Sequence, residues 1–269
     1  MRRSIVCAAI VLALSACGGG KTASSVQAPG AEESAKTKAL EAGAAVLQDR
    51  PPVDAINAYL DGFHFYNGQM KVQMEAHHYC SILNEDVIQC TIYDGNVKDA
   101  KLMGVEYIIS ETLFAGLPEQ EKALWHSHVQ EVKSGQLIAP GIPEVAEHAL
   151  MEKLIHTYGK TWHTWHTDLD KDLPRGMPQL MMGFTADGQA DPAMVAARDA
   201  RLGVSSEEKR KRRADITAPP IDAGADAWQK GRVIQINDPT AAHAHAGKDD
   251  AEASSDRDQN ATSKGSTGR

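Results

Sequence analysis

The chain has 269 residues, of which 42% are hydrophobic and 5% aromatic, and its formal net charge is −8. Because a nucleic-acid-binding surface needs an excess of basic residues, this balance argues against a nucleic-acid partner. The length allows one or two domains, each with its own hydrophobic core.

The N-terminus has the pattern of an export signal. Two arginines are followed by an apolar run from Ile5 to Leu14 and by Leu-Ser-Ala before Cys17. The run is about half as long as a membrane-spanning helix, so the sequence predicts a signal peptide at residues 1–16 that is removed. The residues up to Cys17 resemble the lipobox of bacterial lipoproteins; the alternative is a secretory signal with a chance cysteine. The resemblance implies a lipidated Cys17, and Gly18 after it implies the outer membrane of the cell envelope.

Both ends of the remaining chain are small and polar. Residues 17–50 are rich in Gly, Ala, Ser and Lys, and residues 238–269 contain no aromatic or large aliphatic side chain. Such segments bury too little apolar surface to offset the entropy lost on ordering. The sequence therefore predicts a flexible tether at 17–50, a single folded domain at 51–237 and a disordered tail at 238–269.

Residues 71–94 predict a β-hairpin, because β-forming residues flank the polar turn 84–86. With a three-residue loop, Cys80 lies directly opposite Cys90, and facing positions can meet disulfide geometry in an exported protein. A two-residue loop would offset the cysteines and leave two buried thiols. The pattern leaves both outcomes open.

The rest of the domain predicts further strands and helices that are grouped rather than alternating. Strands are predicted at 101–110, 160–168, 178–187 and 232–236, and helices at 117–128, 142–159, 191–203 and 205–215. Gly159 is the predicted stop of the second helix, and Ser205 with Glu208 forms a capping box. Grouped elements indicate the α+β class, in which a mainly antiparallel sheet packs with helices.

Histidines are the main chemical signal of the domain, because imidazoles with carboxylates bind zinc or iron. The candidate metal ligands are His77, His126, His128, Glu131 and His163, with Glu106 as a further donor. In a strand, His126 and His128 would point the same way and hold one ion, whereas a helix would turn them about 200° apart. The preceding residues favour a helix, which predicts a surface position for His126 and a core position for His128.

Neighbouring histidines elsewhere also point in different directions. His77 and His78 lie on opposite faces of their strand, so at most one of them joins a given site. We expect His78 to be buried and hydrogen-bonded, and His77 to be available for chemistry. Tryptophans beside His163 predict a packing role, with metal binding or acid–base chemistry as the alternative.

Five consecutive cations, Lys209, Arg210, Lys211, Arg212 and Arg213, form one basic run. Such a run is typical of the solvated end of a helix, and contact with anionic lipid is the alternative.

Several motifs in one order resemble the oil body-associated protein family. They read "MEAHHYCSILNEDVIQCTIYDG", "ALWHSHVQE", "YGKTWHTWHTD", "LPRGMPQLMMGFTADGQ" and "KRKRRADI". The resemblance extends from about Pro51 to Ile216 and implies the family's fold and a tendency to associate with lipid surfaces. It implies no particular reaction.

Two functions follow as expectations. The first is a membrane-anchored lipoprotein that acts at or near lipid or the envelope without catalysis. The second is a metal-dependent enzyme with a His-rich site that uses zinc or iron.

Overall fold

The computed structural model describes residues 20–236. The predicted signal peptide, Cys17 and the predicted tail lie outside these residues. The strands are β1 (Ala58–Tyr66), β2 (Gln69–Ile82), β3 (Val87–Tyr93), β4 (Leu102–Ser110), β5 (His126–Ser127), β6 (Thr157–His163) and β7 (Gln179–Met182). The helices are α1 (Ala35–Leu47), α2 (Pro51–Asp54), α3 (Glu111–Ala115), α4 (Glu119–Lys122), α5 (Val129–Lys133), α6 (Glu144–Leu154), α7 (Pro192–Leu202) and α8 (Ser206–Arg212), followed by a 3₁₀ helix (Ala227–Lys230).

Six strands close into an antiparallel barrel. They follow the order β4-β3-β2-β1-β7-β6, and β6 also pairs with β4 from Gly104–His163 to Ser110–Thr157, which joins the two sheet edges. The short β5 adds a rung on β6, with His126 opposite Gly159. The predicted combination of an antiparallel sheet with helices is confirmed. Its closure is not readable from strand alternation, which defines faces but not which edges meet.

The β2–β3 hairpin has the predicted register, with His78 opposite Ile92 and Cys80 opposite Cys90. A disulfide joins the two cysteines in the structure. Alternation turns His78 and Cys80 into the barrel and His77 outward.

One end of the barrel is filled by the main hydrophobic core. Interior strand residues such as Leu60 and Ile108 pack there against helix α6, which contributes Met151, Leu154 and Ile155. These three α6 side chains are at most 1% exposed, and burying each one stabilises the fold by about 1.5–3 kcal/mol.

Helix α7 covers the outside of β1, so both faces of that strand are buried. The helix begins at the N-cap Asp191, whose side chain accepts a hydrogen bond from the Ala193 backbone N–H, and it ends at Gly203, where φ is 66°. Glycine adopts this left-handed conformation without steric cost. Arg198 of α7 lies over the ring of Phe63, 4.6 Å from its centroid.

The predicted helix at 117–128 is wrong beyond its first turn. Helix α4 ends at Lys122, and the chain then becomes extended so that His126 and Ser127 pair with β6. The Ser127 N–H also donates to the buried carboxylate of Asp226, from 3.3 Å. Tertiary pairing therefore overrides the local helix preference.

Two other predicted boundaries also differ. Gly159 is not a helix stop, because α6 ends at Leu154 and Gly159 belongs to β6. Residues 232–236 form no strand; instead the Gln235 side chain accepts from the Leu180 N–H and donates to the Leu180 carbonyl. A side-chain amide thus pairs with the backbone of β7 where its pairing with β1 ends.

Part of the predicted tether packs on the barrel. The Thr22 N–H donates to Asn96 Oδ1 from 2.7 Å, Ser24 Oγ donates to Asp94 Oδ2 from 2.7 Å, and Val26 is 5% exposed. Helix α1 follows and buries none of its residues. Across residues 20–236, none of the helices is long and apolar enough to cross a bilayer.

Candidate functional site

The barrel interior holds a buried group of imidazoles and carboxylates, which we call the interior His–Glu cluster. Each member is at most 5% exposed. The cluster consists of His64, His78, Glu106, His126, His128, Glu131 and His163.

Six elements bring these side chains together. Strands β1, β2, β4 and β6 contribute His64, His78, Glu106 and His163, respectively. The extended β5 turns His126 inward, and the chain then enters α5, with His128 at its N-cap and Glu131 in its first turn. The ring centroids of His126 and His128 are 5.2 Å apart, so the predicted separation of the two rings is wrong.

Three donor atoms converge on one point. Oε1 of Glu106 lies 3.4 Å from Nε2 of His126 and 3.4 Å from Nε2 of His128. Two ligands that each lie about 2.0–2.1 Å from a tetrahedral ion are about 3.4 Å from one another. The donor atoms of His126, His128 and Glu131 also lie within 4.8 Å of one another.

Gly159 leaves the space into which these donors point. A Cβ atom added at Gly159 would lie 2.1 Å from Glu106 Oε1 and 2.8 Å from Nε2 of both His126 and His128. Any side chain at this position would therefore occupy the centre of the donor set. Glycine is required here by close approach rather than by its backbone angles.

Hydrogen bonding fixes the tautomer of His128. Thr157 Oγ1 donates its single proton to the Leu154 carbonyl, 2.7 Å away, so it accepts from His128 Nδ1 at 2.8 Å. In the neutral ring, Nε2 then carries a lone pair and faces the Glu106 carboxylate. A metal ion between the two atoms, or a second proton on the ring, would stabilise this contact, and a backing partner for the second nitrogen is typical of a metal-binding histidine.

His78 supports the other oxygen of Glu106. Its Nδ1 donates to the Ala76 carbonyl from 3.1 Å, and its Nε2 lies 2.9 Å from Glu106 Oε2. Burial opposes the charged ring, but the Glu106 carboxylate raises the pKa of His78 above its usual value. Burial likewise opposes ionisation of Glu106, yet the three histidines around it, His126, His128 and His78, hold its pKa well below the usual range.

The second carboxylate has no comparable partner. Burial raises the pKa of Glu131 to about 7, although the nearby His128 and His78 act in the opposite direction. Burial also lowers the pKa of His163 to about 3 and keeps the pKa of His64 well below its ordinary value. The raised pKa of His78 favours its charged form beside Glu106, whereas no lysine or arginine among the described residues pairs with Glu131.

Several ring nitrogens of the cluster have no hydrogen-bond partner among the described residues. Among them are Nδ1 and Nε2 of His126 and Nδ1 of His163. Leaving a buried polar atom unpaired costs about 1–3 kcal/mol, so such atoms usually have a role that offsets this cost.

A cavity of about 10 Å³ adjoins the cluster. Glu106, His128 and Glu131 line one side of it, and apolar side chains such as Leu137 and Leu154 close the other. A space of this size holds about one water molecule or ion.

The candidate ligand His77 is not part of the interior cluster. It faces outward, is fully buried, and lies 3.0 Å from Asp61 and 3.2 Å from Glu75. The expectation that His77 is exposed is wrong, because α7 covers this face and supplies Arg198 to Asp61 and Arg201 to Glu75. We call these five residues the outer network. Metal binding by His77 stays a prediction, since donor atoms of Asp61, Glu75 and His77 lie within 4.8 Å of one another.

His163 lies in the interior, where its Nε2 is 3.4 Å from Nδ1 of His64. His64 was not among the predicted metal ligands, because no strand was predicted at residues 58–66. Its signal was present in the alternation of Leu60, Gly62 and His64 on one face of β1. Glu106 was recognised only as a further donor, yet it contacts three histidines of the cluster.

The basic run is not a free cationic patch. Lys209 pairs with Glu144 and Glu147, Arg210 with Asp187, Lys211 with Glu208, Arg212 with Glu144 and Arg213 with Glu147. Arg213 is 1% exposed and donates to the backbone carbonyls of Val132 in α5 and of Leu137 in the loop that follows. Acidic neighbours thus balance much of the charge of this run, and its contact with anionic lipid stays a prediction.

Known proteins resemble this chain over most of its length. Residues 50–217 match the family described as "Protein of unknown function (DUF1264)". Oil body-associated protein 1B of Arabidopsis thaliana is 44% identical over 219 residues, which cover 81% of this chain and 91% of the relative. Oil body-associated protein 1A of Zea mays is 42% identical, with 83% of this chain and 96% of the relative covered.

A third relative, oil body-associated protein 2A of Zea mays, is 41% identical and covers 76% of this chain and 82% of its own length. No solved structure matches the chain. The protein belongs to the DUF1264 family, and its curated relatives in that family carry the name oil body-associated protein.

Proposed function

We propose that this protein is a metalloprotein that binds one divalent transition-metal ion, zinc or iron, inside its barrel. The ligands are Glu106, His126, His128 and Glu131. The observation that carries the proposal is that Nε2 of His126 and Nε2 of His128 each lie 3.4 Å from Glu106 Oε1, around the space that Gly159 leaves open. Mixed imidazole and carboxylate donors suit both metals.

Charge supports the same conclusion. Burial raises the pKa of Glu131 to about 7, and no lysine or arginine among residues 20–236 pairs with its carboxylate. A bound divalent ion supplies that charge and favours ionisation. His78 and Thr157 then act from outside the ligand set, where they hold Glu106 and His128 in orientation.

Elemental analysis of the full chain tests the proposal. The protein is purified without an affinity tag, and His243 and His245 are replaced by alanine so that the C-terminal histidines do not bind metal. We expect one zinc or iron ion per chain, loss of the ion in His128→Ala, and retention in His148→Ala, a matched control on the surface of α6. Sub-stoichiometric metal after anaerobic reconstitution with Zn²⁺ and with Fe²⁺ would contradict the proposal.

Cobalt substitution gives a second readout. A Co²⁺ ion bound by these four residues should give the intense visible absorption of tetrahedral coordination. Weak, octahedral-type bands would indicate a solvated ion elsewhere on the protein.

A second function, association with a lipid surface, is favoured by the name that the relatives carry, oil body-associated protein. We propose that this chain reaches lipid through acyl groups on Cys17 and resides as a lipoprotein at the outer membrane. Several acyl chains bind a bilayer almost irreversibly, at about 0.8 kcal/mol for each buried methylene group.

Fractionation of cells that express the full chain tests the anchor. The wild-type protein should be recovered with membranes and should incorporate labelled palmitate, and Cys17→Ser should lose both properties. Recovery of the Cys17→Ser variant in the membrane fraction at the wild-type level would overturn this second proposal.

A further inference from the structure

The segment Gly20–Ser24 is packed between helix α7 and the β3–β4 loop. The Gly20 carbonyl accepts from Asn96 Nδ2 at 3.1 Å, and the Thr22 carbonyl accepts from the Asn96 N–H at 3.0 Å. Arg201 Nε donates to Thr22 Oγ1 from 2.8 Å. We call this segment the strap.

Glycines on both sides make the packing close. A Cβ atom at Gly20 would lie 1.5 Å from the Arg201 carbonyl oxygen, and a Cβ atom at Gly95 would lie 2.3 Å from the Thr22 carbonyl oxygen. Neither position accepts a side chain without movement of backbone. The strap is therefore fitted to this side of the barrel rather than loosely laid on it.

The strap sets a limit on the distance between the barrel and Cys17. Three residue steps separate Cys17 from Gly20. Consecutive Cα atoms are about 3.8 Å apart, so the two Cα atoms are at most about 11 Å apart. A flexible tether of 34 residues, as predicted for positions 17–50, would have allowed any orientation.

We infer that the protein sits on a bilayer in one orientation, with the face formed by the strap, the β3–β4 loop and the C-terminal end of α7 against the lipid headgroups. This inference rests on the lipid anchor proposed above. The docked strap keeps the face within about 11 Å of the acylated residue. The exposed side chains of Lys21 and Lys98 on this face meet the headgroup phosphates.

The opposite wall of the barrel provides a reference position. The strap contacts Glu75 of β2, and β6 is three strands away from β2 in either direction around the barrel. Helix α4 lies on the outside of β6, where Glu121 is 2.6 Å from Lys160. The exposed Gln120 of α4 therefore points away from the proposed lipid face.

Site-specific labelling tests the orientation in the full-length lipidated protein. A fluorophore is attached to a single introduced thiol, Lys98→Cys or Gln120→Cys, and the proteins are reconstituted in vesicles that contain phosphatidylglycerol and spin-labelled headgroups. Cys80 and Cys90 are joined by the disulfide and do not take the label. We expect strong quenching at position 98 and little at position 120. Equal quenching, or stronger quenching at position 120, would overturn the inference.

A tether variant separates the orientation from the anchor. Insertion of about twenty Gly and Ser residues between Cys17 and Gly20 allows the barrel to leave the bilayer. Membrane recovery should stay unchanged, and the difference in quenching between positions 98 and 120 should shrink. If the difference persists, the strap does not set the orientation; if Cys17→Ser remains on membranes, the anchor itself is wrong.

Discussion

The interior His–Glu cluster and the outer network lie on opposite sides of the same β-sheet, and both combine imidazole with carboxylate groups. In the outer network, α7 supplies two guanidinium groups, and Arg198 lies 2.6 Å from Asp61. The described residues supply no arginine or lysine to the interior cluster, where Glu131 has a pKa of about 7 because of its burial. Built-in cations therefore pair with the carboxylates of the outer network, whereas the metal ion proposed above would supply positive charge to the interior cluster.

The largest expected effect removes a cation from the outer network. Arg198→Ala leaves Asp61 buried without its partner and should lower the free energy of unfolding by about 3–5 kcal/mol. Chemical denaturation measures this change, and Arg175→Ala at an exposed pair serves as the control. Metal content of the folded fraction should stay at one ion per chain. A loss of metal with little change in stability would reverse the roles assigned to the two regions.

Removal of the interior carboxylate should have an effect that depends on pH. Without metal, the folded state holds a proton on Glu131 up to about pH 7, so ionisation destabilises the fold as pH rises from about 4.5 to 7. The metal-free Glu131→Gln variant lacks this cost and should be more stable than the metal-free wild type at pH 8, by about 3 kcal/mol. At pH 4.5 the two proteins should have equal stability.

Thermal and urea unfolding of chelator-treated protein measure this difference, with the exposed Glu152→Gln as the matched control. In the presence of zinc the order should reverse, because the variant lacks a ligand. A metal-free variant that is less stable than wild type at pH 8 would contradict the missing-cation interpretation.

A smaller effect is expected when the space above Gly159 is filled. Gly159→Ala brings a methyl group into the donor set and should cost about 1–3 kcal/mol of stability together with loss of the metal. Gly116→Ala is the control, because its added Cβ would meet the Leu113 carbonyl oxygen at an ordinary 3.5 Å. Titration with Zn²⁺ after refolding measures the affinity; full affinity in Gly159→Ala would exclude this point as the metal position.

The smallest effect concerns the partner of His128. Thr157→Val keeps the shape of the side chain but no longer accepts the Nδ1 proton, so the ring loses its fixed tautomer. Zinc affinity should fall about 10- to 100-fold while one ion still binds. Competition with a chromophoric chelator measures the affinity, and Thr112→Val on the exposed surface is the control. Unchanged affinity would place His128 outside the ligand set.

Local patterns were sufficient for many elements of the fold. The β2–β3 register is the one predicted for a three-residue loop, whereas a two-residue loop, which the pattern had left open, would have offset Cys80 and Cys90. The Ser205 cap marked the start of α8, and its side chain accepts a hydrogen bond from the Glu208 N–H. The short strand β5 had no such pattern, because its two residues are extended only through their pairing with β6.

The amino-acid sequence by itself determined the family, the antiparallel character of the sheet and the supply of imidazoles and carboxylates. Tertiary structure decided which of them meet. Closure of the barrel brought together His64, Glu106 and His128 from three different elements. On the other side of the sheet, His77 contacts Asp61, which pairs with Arg198 of α7. The physical reason is that periodicity specifies the direction of a side chain relative to its own strand, whereas a metal site requires the meeting of side chains from strands far apart in sequence.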